Sequence, residues 1–334
     1  MRFGPVPVGE AAGAILAHSM RIGARRLKKG VVLNADDIVA LQAAGEARIT
    51  VARLEPGDIA EDAAAAELAH ALVPDPKAAG LQVGRAFTGR VNLHATRPGI
   101  LHVDASAVHA LNRVDPAITL ATLAPLTRVS ARLLAGTVKI IAYAVPGTAL
   151  ETACAAVAGR DALRVLPVIR RRAGLILTEV PGQKPSLSVK GRAAVETRLQ
   201  ALGMELAECR AVAHDTDAIA AALPAVAGDM VLILTGSATS DLRDTAPEAV
   251  RAAGGQVARF GMPVDPGNLL FTAHLGERPV IGLPGCARSP ALNGADWVLE
   301  RIACGLEVGD DDIAMLGVGG LLKEIPIRPQ PREG

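Results

Sequence analysis

The sequence predicts an α/β protein in which helices cover both faces of a mostly parallel sheet. This three-layer α/β/α part is preceded by an α+β accessory region. Three observations predict it. From about Ala173, strand-like and helix-like segments alternate regularly, the pattern that builds a parallel sheet. Half of the 334 residues are hydrophobic yet only 2% are aromatic, so Ala, Val, Leu and Ile must fill the core. The loops after the strands of the alternating part are rich in Gly, Ser, Thr, Asp and Arg, and that edge is where open parallel sheets bind ligands.

The length suits about two domains. With 35 basic and 34 acidic residues the net charge is +1, which provides no general field for nucleic acid or an anionic membrane. Scarce aromatic rings also disfavour a groove in which single-stranded bases stack on side chains. The mean hydropathy is +0.31. Even so, the longest apolar stretches, Met230–Leu234 and Gly136–Pro146 (interrupted by Lys139), fall far short of the roughly 20 residues a membrane span needs. Met1-Arg2-Phe3-Gly4-Pro5 lacks the features of a signal peptide. Cys154, Cys209, Cys286 and Cys304 are widely spaced and are read as buried thiols, not as a metal or redox site. A cytoplasmic protein is expected.

In chain order, residues 1–75 form a small α/β accessory region. Asn34 is placed to cap a helix that runs to about Ala44 and stops at Gly45. Ile49–Leu54 reads as a strand closed by the turn Glu55–Asp58, and Ile59–Val73 as an Ala-rich helix broken by Pro74-Asp75-Pro76. Residues 76–172 read as an α+β accessory domain, with strands at Ala86–Leu93, Ile100–Val103 and Thr137–Val145 around a helix near Ser106–Asn112. Residues 173–310 hold the alternating series. Its strands are expected at Gly174–Glu179, Glu205–Val212, Asp229–Leu234, Gln256–Phe260, Leu269–His274 and Val280–Leu283. Its helices are expected at Val189–Leu202 (capped by Ser188, ended by Gly203), Asp217–Leu223 (capped by Asp215 or Thr216), Ala246–Ala253 and Ala291–Cys304. Residues 311–334 are a tail that becomes Pro-rich from Ile325.

Four loops lie where a ligand is expected. The first is Thr235-Gly236-Ser237-Ala238-Thr239-Ser240-Asp241-Leu242-Arg243-Asp244-Thr245, with Thr245 and Glu248 at capping-box spacing. A glycine followed by small hydroxyl residues at a helix start can turn backbone N–H groups toward a phosphate or carboxylate. Arg243 can clamp an anion, and Asp241 or Asp244 can hold Mg²⁺ or act as a base; the alternative is an ordinary polar loop in which Asp244 makes turn hydrogen bonds. The second loop runs Leu283-Pro284-Gly285-Cys286-Ala287-Arg288-Ser289-Pro290, with Ser289 as a cap and Pro290 at the first helical position. Cys286 is read there as a packing thiol because no His is placed to activate it. The turn at Pro266-Gly267 is the third loop, read first as a connection. His214 and Asp215 mark the fourth, with Asp215 read as a cap and His214 as structural.

These motifs, in order and at these distances, resemble the molybdopterin-binding domain of molybdenum cofactor biosynthesis proteins, a family that includes molybdopterin adenylyltransferase, molybdopterin molybdenumtransferase and gephyrin. The resemblance covers roughly 173–305. Upstream, Arg26–Leu33 and Thr137-Val138-Lys139-Ile140-Ile141 resemble the accessory region found ahead of cofactor cytidylyltransferase-type domains. The resemblance implies a molybdopterin-binding fold and a pterin ligand held by Thr235, Gly236, Ser237, Ala238, Thr239, Ser240, Asp241, Arg243, Pro266, Gly267, Leu283, Pro284, Gly285, Arg288 and Ser289. It implies Asp244 and Asp215 as catalytic groups, with Mg²⁺ at Asp244 and ATP or CTP as co-substrate.

Two glycines of the family's Gly-Gly-Thr-Gly loop are replaced here, leaving Ser237-Ala238-Thr239. The family's Lys-Pro-Gly-Lys-Pro turn becomes Val264-Asp265-Pro266-Gly267-Asn268, without its cations, and Leu-Pro-Gly-Asn-Pro becomes Leu283-Pro284-Gly285-Cys286-Ala287. Pterin binding is therefore the property the resemblance implies most directly. Three roles stay open: a transferase in molybdate insertion or nucleotide attachment, a non-enzymatic carrier or sensor of the cofactor, and a nucleotide pyrophosphatase of the competence-damage-inducible type. The implied partners are a nucleotidyltransferase or a molybdoenzyme maturation factor, and a homo-oligomer is expected. The chain is expected to be a stand-alone version or a truncation of a longer fusion.

Overall fold

The computed structural model describes residues 1–322. The chain divides into two compact units, Met1–Arg97 with Leu101–Val165, and Pro98–Ile100 with the chain from Leu166 onward. From the amino end the elements run β1 (Arg2–Pro7), β2 (Ile15–Leu16), β3 (Met20–Ile22), β4 (Arg25–Leu27), α1 (Ala35–Ala43), β5 (Arg48–Arg53), β6 (Asp58–Ala60), α2 (Glu61–Leu72) and α3 (Pro76–Ala79). They continue as β7 (Leu81–Val83), β8 (Arg90–Ala95), β9 (Gly99–Val103), α4 (Ala105–Asn112), β10 (Ile118–Thr122), β11 (Arg128–Val129), β12 (Leu134–Ile140), β13 (Ala144–Pro146), α5 (Gly147–Val157) and β14 (Leu163–Pro167).

Local chemistry sets several of these bounds. Asn34 caps α1 as expected: its Oδ1 accepts the Asp37 N–H at 2.9 Å while the Asp37 carboxylate accepts the Asn34 N–H at 3.1 Å. The helix expected from Ile59 starts at Glu61, because Asp58–Ala60 pairs as a strand with β13. The strand expected over Thr137–Val145 is two strands: β12 pairs with β8 and β10, whereas β13 turns away to pair with β6. The Ala86–Leu93 strand begins only at Arg90, since Phe87 and Arg90 exchange backbone hydrogen bonds across a tight turn. The core beneath α2 is aliphatic, built on Leu68, Leu72, Leu93, Leu111, Ile118 and Ile140.

The second unit contains β15 (Arg172–Glu179), α6 (Pro185–Ala201), β16 (Glu205–Ala213), α7 (Thr216–Ala225), β17 (Met230–Leu234), α8 (Thr245–Ala252), β18 (Gln256–Phe260), β19 (Phe271–Leu275), β20 (Arg278–Leu283), α9 (Gly294–Ala303) and α10 (Asp310–Met315). One six-stranded sheet has the order β16-β15-β17-β20-β19-β18. Its first three pairings are parallel and the last two antiparallel. The expected three-layer α/β/α architecture with a mostly parallel sheet is the one observed. Ile176, Val231, Ile233, Phe271, Ala273 and Val280 face α7 and α8. Alternation along the strands sends their neighbours to the other face, where Leu234 meets α6 at Gly191. All five residues of β17 are buried, as a strand covered on both faces requires.

Three helix starts differ from expectation. α6 begins at Pro185 after Lys184, not at Ser188, whose hydroxyl instead donates to Glu179 Oε1 at 2.8 Å. Thr245 is not a cap: Asp244 takes that place, and Glu248 pairs with Arg251 at 2.8 Å in place of a capping box. Ser289 and Pro290 do not open α9. The chain first makes a 3-10 turn at Gly285–Arg288, and Asn293 caps the helix. The stop of α6 matches expectation, with Gly203 two residues past its end at a φ of +70°, where a side chain would be strained. Among the described residues, no helix is long and apolar enough to cross a membrane. The Pro-rich segment from Ile325 lies outside the described residues.

Candidate functional site

The carboxyl ends of β15, β16, β17 and β20 lie at one edge of the sheet. β19 runs the opposite way, so the 261–270 loop that precedes it emerges at that edge too. After β15 the chain turns to α6 on one face; after the neighbouring β17 it turns to α8 on the other. Connections that diverge between adjacent strands leave a crevice, and ligands of doubly wound sheets occupy it.

One buried hydroxyl organises that crevice. Thr178, 1% exposed near the end of β15, accepts the Gly236 N–H at 2.8 Å and lies 2.8 Å from His214 Nδ1. It thus ties the loops after β16 and β17 to the central strand. Gly236 is needed for this approach. A Cβ there would sit 2.6 Å from the Thr178 carbonyl oxygen, 2.6 Å from Gln183 Oε1 and 3.2 Å from Val180 N. Gln183 Nε2 donates to Ser188 Oγ at 3.2 Å, which leaves Oε1 buried with no partner.

The rest of the loop is braced by Asp244. Its Oδ1 accepts the Thr245 N–H at 2.7 Å, and its Oδ2 accepts the Ser240 N–H at 2.8 Å and the Ser240 hydroxyl at 3.3 Å. Partial burial pushes this carboxyl up, but the Ser240 and Thr245 hydrogen bonds outweigh burial and hold it below the ordinary range. A lowered folded-state pKa contributes stability that is complete above the ordinary value of 3.8 and is lost as pH falls through the lowered one. Asp244→Asn is therefore expected to show a smaller loss of stability than the parent between about pH 5 and about pH 3 in urea titrations; an equal loss would count against this role. Asp241 Oδ1 accepts the Arg243 N–H at 2.7 Å. Ser237, Ala238, Ser240, Asp241 and Arg243 are exposed, while Thr235 and Thr239 are only 3% and 6% exposed.

The loop after β20 is held from below by Arg198 of α6, which sequence reasoning did not single out. Only 8% exposed, Arg198 donates to Asp296 Oδ1 at 2.5 Å and to the carbonyls of Ala287 (2.9 Å), Ser289 (2.8 Å) and Ala291 (3.1 Å). Ser289 is thereby fixed through its backbone. Arg288 points the other way: its Nη2 donates to the Thr235 carbonyl at 2.5 Å and its Nε is buried without a partner. Burial pushes this guanidinium below its usual range. Arg288 is thus the guanidinium that joins the two loops, and Arg243 is not part of that contact. Leu283 and Pro284 are buried and Gly285 half-buried.

Cys286 departs from the expected packing thiol. It is exposed, because it sits on the 3-10 turn at the mouth of the loop, and Asn293 Nδ2 lies 3.0 Å from its sulfur. Cys304 is buried, while Cys154 and Cys209 are half-buried. Pro266 and Gly267 lie against the start of α9, where the Pro266 carbonyl accepts the Gly294 N–H at 2.9 Å. Asp215 caps α7 by accepting the N–H groups of Asp217 (2.8 Å) and Ala218 (3.1 Å). Asp215 and Asp244 each serve their own helix. Among the described residues, no three His, Cys, Asp or Glu side chains gather closely enough to hold a metal ion.

Hydroxyls, helix starts and one guanidinium converge at the carboxyl edge of the sheet, the edge at which open α/β sheets take ligands. Residues 190–302 match the family described as "Probable molybdopterin binding domain". Residues 5–53 match a domain of unknown function (DUF8806). The chain is also similar to a solved molybdopterin biosynthesis MoeA protein from Pyrococcus horikosii, at 16% identity over 91% of this chain and 76% of that one, with a TM-score of 0.32. For a molybdenum cofactor biosynthesis protein from Pyrococcus furiosus the values are 13% identity, 90% and 61% coverage, and a TM-score of 0.22. The chain thus spans less than two thirds of the second protein. Comparison with curated proteins finds no match. The family match covers about a third of the chain.

Proposed function

We propose that the second unit binds molybdopterin at the carboxyl edge of its sheet and that the chain serves molybdenum cofactor biosynthesis as a holder of that ligand. The observation that carries this reading is the Thr235–Thr245 loop at the crevice. Its Thr235 and Thr239 side chains are buried, and Arg288 closes onto its first carbonyl. Two features of the site fit the two ends of the ligand. Hydroxyls of the loop and the unpartnered Arg288 Nε suit a phosphate, and the unpartnered Gln183 Oε1 suits a ring N–H. When bound, the pterin supplies the sulfur pair that holds molybdenum, and the residues here orient it and shield it from water.

The residues present do not fit a resident Mg²⁺. Both Asp244 oxygens already accept hydrogen bonds from the loop, and Asp215 is engaged at α7. Asp244 is therefore proposed as a positioning residue for the loop, with no step taken through a metal. The reading is tested by titrating purified protein with molybdopterin and with the same pterin lacking its phosphate. Mg²⁺-ATP or Mg²⁺-CTP and molybdate are then added while pyrophosphate release is followed. Saturable binding that weakens without the phosphate, with no pyrophosphate released, is expected. Absence of binding would overturn the reading, and pyrophosphate release would make the protein a transferase instead.

A further inference from the structure

We propose that the second unit holds a further small-molecule site, for an organic ammonium ion, in the cavity beside β19 and the end of α9. The cavity encloses about 620 Å³ and is lined by Arg170, Thr272, His274, Glu277, Glu307 and Asp312, among others. It lies away from the loops described above, since His274 is paired with Pro279 at the amino end of β20. Its volume is in the range of small-molecule pockets.

One observation points to a ligand. Thr272 is 4% exposed and its Oγ1 is buried with no hydrogen-bond partner. Strand alternation aims it into this space: Phe271 and Ala273 pack into the core with α8, so Thr272 and His274 point to the opposite face. A hydroxyl in that position lacks the partner that buried polar groups nearly always have.

The charge around the cavity fixes the class of ligand. Among the lining residues, Glu277, Glu307 and Asp312 supply three carboxylates against the guanidinium of Arg170; Asp312 Oδ2 also accepts the Gly309 N–H at 2.9 Å and feels the charge of Arg301, which leaves Glu277 and Glu307 as the principal anions. Arg170 is already donating to the carbonyls of Ile302 and Asp229, each at 3.3 Å. Ile302, in the last turn of α9, also lines the cavity, so the negative end of that helix dipole adds to the field. The carboxylates do not gather into a metal-binding group among the described residues. Charge spread in this way suits an elongated organic cation whose ammonium hydrogens reach Thr272 Oγ1 and the carboxylates, more than it suits a compact metal ion.

The test uses the full chain with spermidine and putrescine as probes, at low ionic strength, followed by calorimetry and by shifts of the His274 ring signals. An uncharged diol of putrescine's length is the control. Saturable binding of one amine per chain is expected, with none of the diol. Thr272→Val, which keeps the shape and removes the hydroxyl, is expected to weaken binding about fivefold to tenfold while the melting temperature stays level or rises. Glu307→Gln, on an exposed side chain, is expected to weaken it by a similar factor. Absence of saturable amine binding overturns the proposal. So does undiminished affinity in either variant, which would assign the binding to general surface charge.

Discussion

Gly236→Ala is expected to weaken molybdopterin binding on the order of 30- to 100-fold, with the fold retained. The added methyl would meet the Thr178 carbonyl at 2.6 Å and Val180 N at 3.2 Å, and both are backbone atoms at the end of β15. β15 is paired with β17 up to Leu177 and with β16 up to Glu179, which resists a shift of its end. The loop must lift instead. That breaks the 2.8 Å hydrogen bond from Gly236 N–H to Thr178 Oγ1 and moves Thr235 away from Arg288. One lost hydrogen bond and the displacement of a closely packed loop together cost about 2–3 kcal/mol, which sets the expected factor. Calorimetric titration of the variant beside the parent, with melting curves for both, checks it. Unchanged affinity in a folded variant would remove the crevice as the binding place.

The largest stability effect is expected from Arg198→Met, about 3–5 kcal/mol. The guanidinium is nearly sealed between α6 and α9, where it neutralises Asp296 and binds the carbonyls of Ala287, Ser289 and Ala291. Removing it leaves a buried carboxylate without its counter-charge and three carbonyls short of a donor. A second replacement, Asp296→Leu, is expected to restore only part of the loss. Asp296 also accepts the Asn293 N–H at 2.8 Å in the capping box of α9. Urea denaturation reads both: the midpoint falls for the single variant and partly returns in the double one. A loss under about 1 kcal/mol for Arg198→Met would show that the network is not what fixes the loop.

Periodicity and punctuation made the layer architecture legible in the sequence. Strands such as Met230–Leu234 are short apolar runs followed by polar loops, and Asn34 and Asp215 cap the helices where their side chains predict. Caps failed where several candidates stood close together. Ser188, Thr245 and Ser289 each have the right chemistry, but the choice among neighbouring hydroxyls and carboxylates is decided by other contacts: Ser188 bonds Glu179, Asp244 bonds Ser240 and takes the place of Thr245, and Arg198 holds the Ser289 backbone. The crevice was legible as a set of loops, through glycines and small hydroxyls. Its supports were not. Thr178 sits in an ordinary strand pattern, and Arg198 reads as one more basic residue in a helix rich in charge. Only the fold brings Arg198 within reach of carbonyls about ninety positions away. A basic residue at a position that helical spacing assigns to the core was the one available signal.

The reversal of strand direction at β19 has a consequence for how such a domain can diversify. Segments that leave the parallel strands are committed to helices that cover the sheet, so altering them disturbs a packed layer. The 261–270 segment is not so committed, because it joins β18 and β19 as a simple return. It is pinned at its middle, by the Pro266 carbonyl on the Gly294 N–H and by backbone exchange of Asp265 with Gly320 and Leu322. Extra residues between Gly267 and Leu270 would add mainly chain-closure entropy, about 0.6 kcal/mol per doubling of length. That stretch is a graft point, where new side chains can be offered to a ligand while the three layers stay as they are.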